Sequence, residues 1–133
     1  MTTMLKGPFF VDKQYDYDPV NMEAAKKILW RSIQLDNKNW LTKANMAVLE
    51  TTVKNYAEAG KLYAEALKLS DNHPELSFQV ADYYHRQKEF GKAKEHYQLA
   101  LKGFQAGRVP ASEKRMSEVK SRLTSVDQKK PLE

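Results

Sequence analysis

Shifted against itself by 34 residues, the chain lays Met46, Ala47, Tyr56, Ala59, Tyr63, Ala66 and Leu67 onto Val80, Ala81, Phe90, Ala93, Tyr97, Ala100 and Leu101, apolar on apolar at every position. A fixed period of this length marks a stack of supersecondary units, each hiding its apolar face against the next. A second shift carries Ala59, Tyr63, Ala66, Leu67 and Leu69 back onto Ala25, Leu29, Ser32, Ile33 and Leu35, so half of the unit occurs a third time. Within each unit the apolar residues recur at intervals of three and four, which places Ala59, Leu62, Tyr63, Ala66 and Leu67 on one face of a helix. Strand alternation is not evident, and an all-α chain is expected.

Turn residues divide the pattern. Asp18-Pro19 opens a helix running to about Leu35, and Asp36-Asn37-Lys38-Asn39 closes it. Helices are then expected over about 40–53 and 55–69, with Pro74 restarting the chain at the first position of a pair over about 74–87 and 90–104. From Pro110 a last amphipathic helix reaches about Ser125, with Met116, Val119 and Leu123 on one side. The expected organisation is an extended N-terminal arm at 1–18, helical repeats at 19–104, a capping helix at 110–125 and a disordered tail at 126–133. The arm has no helical stripe. Its aromatics, Phe9 and Phe10 among them, need cover near Trp30 or on another molecule.

Composition narrows the chemistry. The 133 residues contain no cysteine, which removes disulfides, thiolate nucleophiles and cysteine-ligated metals. No apolar run reaches the roughly 18 residues that span a bilayer, and the start lacks the apolar core of a signal peptide. The chain as given is therefore expected to be soluble, without membrane insertion; its compartment stays open, with the cytoplasm favoured. Its net charge of +5 is concentrated towards the C-terminus: residues 85–122 hold 10 Lys/Arg against 4 Asp/Glu, whereas 1–84 hold 10 against 11.

The repeated residues resemble the tetratricopeptide repeat, whose pattern is W-x2-L-G-x2-Y, then A-x3-F, then P. In the second full unit these positions are Ser77, Val80, Ala81, Tyr84, Ala93 and Tyr97; in the first they are Lys43, Met46, Ala47, Glu50, Ala59 and Tyr63. The leading Trp and closing Pro are absent. The resemblance covers about residues 19–104 and implies an α-solenoid of antiparallel helix pairs in a right-handed superhelical stack. It also implies a peptide or partner subunit held along the concave face, which the first helix of each pair lines. On this sequence the contact positions are Leu41, Ala44, Asn45, Val48, Thr51 and Thr52 in the first unit, and Glu75, Phe78, Asp82, His85 and Arg86 in the second. The subtype that clamps carboxylate tails of chaperones is not expected. Only Asn45 matches it, and Glu75 and Gln79 stand where it needs cations.

Enzymatic chemistry finds little to work with. His73, His85 and His96 form no motif, and no metal or other cofactor is expected. Asp12, Asp16 and Asp18 alternate as in a calcium loop, but its glycine and distal glutamate are missing. Two rivals to a protein-binding adaptor remain: self-association through the N-terminal half repeat and arm, and nucleic-acid binding by the basic residues 86–122. Nucleic acid is the weaker, because from residue 105 onward no aromatic is available for stacking.

Overall fold

A computed structural model describes residues 19–36 and 38–132, and among these the chain is all-helical, with six helices and no strand. The arm expected at 1–18, with Phe9 and Phe10, lies outside the described residues. The chain divides between Asp71 and Asn72 into two compact units. In the first, α1 (Pro19–Leu35) packs on α2 (Trp40–Thr52), and α2 on α3 (Tyr56–Ser70). In the second, α4 (Pro74–Arg86) packs on α5 (Phe90–Gln105), and α5 on α6 (Glu113–Asp127). No helix among the described residues is long and apolar enough to cross a membrane.

Local sequence explains the helix ends. The Asn39 side chain accepts from the Thr42 amide, and the Ser112 hydroxyl from the Arg115 amide, filling donors that a helix start leaves open. His73 does the same for Glu75 through Nδ1, with Pro74 at the first turn as expected. The two hairpins turn alike. Lys54 and Lys88 both take positive φ, 64° and 61°, and the amides of Asn55 and Glu89 donate back to the carbonyls of Glu50 and Tyr84. Helix α4 begins and ends 34 residues after α2, so the period in the side chains is also a period of the backbone.

Packing follows the apolar stripes. Ala47, Ala59 and Ala66 of the first unit, like Ala81, Ala93 and Ala100 of the second, are buried, and small side chains let paired helices approach. Tyr63 and Tyr97 are buried beside them, and α1 contributes Ala25, Leu29 and Ile33. Tyr56 departs from its expected core role: at the first residue of α3 it remains 39% exposed. In the second unit Phe78, Ala81, Ala93, Tyr97, Ala100 and Phe104 form one cluster with Val119 and Val126 of α6. The last helix therefore extends past its expected end. Residues 126–130, which the sequence assigned to a tail, instead continue α6 to Asp127 and a turn, because Val126 is part of the core.

At Gly103 helix α5 passes close against Pro74 at the start of α4. A Cβ there would lie 2.5 Å from Cγ of Pro74, whose ring cannot swing away. Gly103→Ala should lower stability by about 1–2 kcal/mol, the overpacking cost outweighing a helix-propensity gain of about 1 kcal/mol. Urea denaturation measures it, and an unchanged midpoint would mean that α4 yields at its first turn.

Candidate functional site

On α4, Glu75, Phe78, Asp82 and His85 follow at helical spacing and share one face. On α6, Arg115, Val119, Arg122 and Val126 do likewise. The two faces interlock. Arg115 Nε lies 3.2 Å from Glu75 Oε1, and its guanidinium carbon sits 4.6 Å from the centroid of the Phe78 ring. Arg122 covers the same ring at 5.0 Å and donates from Nη1 to Asp82 Oδ1 at 2.5 Å. Phe78 thus lies under two guanidinium groups, each anchored to a carboxylate one turn away.

A polar chain runs inward from Asp82. The Tyr97 hydroxyl donates to Asp82 Oδ1, and its oxygen stands 3.0 Å from His85 Nδ1. The opposite ring nitrogen, Nε2, donates to the Lys130 carbonyl at 2.7 Å, since a carbonyl can only accept. Asp82 is 1% exposed. Burial pushes its carboxyl up, against the pull of Arg122 and the Tyr97 hydroxyl. Burial and the nearby Asp82 push the Tyr97 phenol far above its ordinary value. Arg122 is itself desolvated, yet the Asp82 carboxylate holds it in the charged form. The arrangement binds and aligns α6 through Asp82 Oδ1, while Oδ2 is buried without a hydrogen-bond partner among the described residues.

Several contact positions implied by the tetratricopeptide resemblance are not open. Phe78, Asp82 and His85 are buried, because the side chains of α6 and the backbone after it occupy their face. Ala44 and Val48 are buried as well. Leu41, Asn45, Thr52, Glu75 and Arg86 are half-buried, Glu75 being engaged by Arg115. The hydroxyls of Thr51 and Thr52 are turned onto their own helix, donating to the carbonyls of Ala47 and Val48. Asn45 Oδ1 is buried without a hydrogen-bond partner among the described residues. Sequence reasoning missed Arg115 and Arg122 as site residues and gave Tyr97 only a packing role. A signal was there: two acids seven residues apart, Glu75 and Asp82, faced by two arginines with the same separation.

Other clusters resolve into packing. The Tyr84 ring stacks on His96 at 5.4 Å with the Lys92 ammonium over it, and burial pushes His96 down. Among the described residues no group of His, Asp or Glu is placed to hold a metal ion. Much of the C-terminal basic charge is already engaged: Lys92 with Glu89, Lys94 with Asp127, Arg115 with Glu75 and Glu118, and Arg122 with Asp82. No protein-family model matches the sequence, and no curated protein matches it significantly.

Two outcomes test this site. Arg122→Ala should cost about 3–5 kcal/mol, because it strands a buried carboxylate; adding Asp82→Asn should return much of that in urea denaturation. Equal stability of the single and double variants would mean that water reaches Asp82. The second outcome concerns Tyr97. Tyrosines of the unfolded chain ionise near pH 10, whereas Tyr97 in the folded chain keeps its proton to higher pH. Its contribution to stability is thus full below pH 10 and is lost as the pH rises further. Phenolate absorbance should therefore include one tyrosine that ionises only together with loss of helical circular dichroism.

Proposed function

We propose that this chain is a non-enzymatic protein-binding module of the tetratricopeptide type, an α-solenoid fragment that holds a peptide or partner subunit along the first helices of its repeats. One observation carries the reading. The α4 face that the resemblance assigns to contact is engaged with a polypeptide segment, α6, through an aromatic side chain flanked by carboxylates. The 34-residue correspondence of α2 with α4, and of the turns that follow them, supports the repeat assignment. The polar groups most suggestive of chemistry, Asp82, Tyr97 and His85, are spent on one another, on Arg122 and on the Lys130 backbone, which suits holding rather than turnover.

Self-association is a second reading, favoured by the exposed apolar residues Ile28, Trp30 and Leu35 on α1. Light scattering separates the two, since a dimer would support it. For the adaptor reading the decisive experiment is affinity capture. An Asn45→Ala, Arg86→Gln chain, altered only at half-buried positions, should keep its helical circular dichroism and lose the captured protein. Capture of nothing by the wild type, or of the same protein equally by both chains, would sink the reading.

A further inference from the structure

The face of α4 has a recognition chemistry that a purely structural contact does not need. A buried acid is a costly way to seat a helix, since an apolar pair of similar size is often as stable or more so. What Asp82 adds is selection. A helix lacking a cation at this point leaves Oδ1 of a carboxylate that is 1% exposed with only the Tyr97 hydroxyl and the more distant charge of Arg86, whereas an arginine there donates to it directly; Oδ2 is buried without a hydrogen-bond partner among the described residues. Glu75 sets a second, shallower requirement one heptad away, and Phe78 between them accepts two guanidinium faces. Between the arginines α6 supplies Val119, and beyond them Val126, both in the core cluster. The segment read by this face is therefore an amphipathic helix with arginine at i and i+7 and an apolar residue at i+4 and i+11.

The resident helix is held by few buried residues. Of the 15 residues of α6 only Val119 and Val126 are buried, whereas five residues of α5 and ten of α4 are. Its tether, residues 106–112, is exposed except for half-buried Val109 and has no regular structure. Met116 and Leu123 pack half-buried against the same cluster, and the rest of the attachment is polar: the buried Arg122 and Asp82 pair, the more exposed Arg115 and Glu75 pair, the Lys94 and Asp127 pair at 2.8 Å, and the guanidinium contacts. Elements with few buried apolar contacts open first.

We infer that the Glu75, Phe78 and Asp82 face of α4 is a receptor for basic amphipathic helices of this arginine spacing, that α6 is its resident occupant, and that a partner helix of the same chemistry displaces α6. The inference rests on the adaptor reading for the existence of a partner, but the receptor property is tested without one. A short tether gives α6 an effective concentration in the millimolar range, so a free helix competes poorly until the resident is weakened.

The probe is a fluorescent synthetic peptide spanning residues 111–131, with a second peptide in which Arg115 and Arg122 are both alanine. The full-length Arg115→Ala chain, in which Asp82 keeps Arg122, should bind the first peptide about tenfold more tightly than the wild-type chain does, and neither chain should bind the second. Equal binding of the two peptides, or no binding to the Arg115→Ala chain, overturns the inference. A lock decides independently of that variant's folding, because the chain has no cysteine of its own. A Lys94→Cys, Asp127→Cys chain should bind the arginine peptide before a short bismaleimide joins α5 to α6 and lose it afterwards. Unchanged binding after joining places the peptide elsewhere and overturns the inference. A dimer of the Lys94→Cys, Asp127→Cys chain that the crosslink prevents would make the occupant α6 of a second copy and overturn the separate partner. If the peptide arms succeed while affinity capture yields nothing, the receptor stands and the adaptor reading falls; capture that persists with α6 locked has the opposite meaning.

Discussion

A carboxylate placed almost out of contact with water must be answered from within the protein, and the second unit is arranged around that demand at Asp82. Tyr97 reaches it from α5 and Arg122 from α6, so one buried oxygen ties three helices together. His85 extends the tie through the Tyr97 hydroxyl to the backbone at Lys130, beyond the end of α6. Apolar contacts at Val119 and Val126 bring α6 to the surface of the α4 and α5 pair. The charges fix its register there, because Arg115 and Arg122 both meet an acid only when their seven-residue spacing is laid on that of Glu75 and Asp82.

Within each unit the hairpin follows simpler rules. Alanines at Ala47, Ala59 and Ala66, and again at Ala81, Ala93 and Ala100, keep the paired helices close, and Gly103 allows α5 to pass the ring of Pro74. The turns at Lys54 and Lys88 take the same left-handed conformation, although lysine gains nothing from it. That shared strain indicates that hairpin packing, and not the preference of the turn residue, sets the local backbone.

The fold was largely legible beforehand because period and punctuation are local properties. The stripe at Ala93, Tyr97 and Ala100, the proline at Pro74 and the break at Lys88 placed helices to within a few residues. Legibility ended at the C-terminus. Val126 looked like the start of a tail because one apolar residue after Leu123 makes no new turn of a stripe; it belongs to the core because α5 lies beneath it. The site was half legible. The face of Glu75, Phe78, Asp82 and His85 could be named from the register, but whether it was open depended on where α6 lay. Tyr97 was read as packing alone, since helical spacing shows that a residue faces inward and not which polar group it meets there.

By itself the sequence determined that the described residues are helical, roughly where the first five helices begin and end, and which stripe of each is apolar, for these depend on neighbours three and four residues away. Tertiary structure alone decided that the Asp82 face is covered and that two arginines some 40 positions further along cover it. The physical reason is that a charge is satisfied by whatever comes within hydrogen-bonding distance, and for residues this far apart in the chain that distance is set by packing.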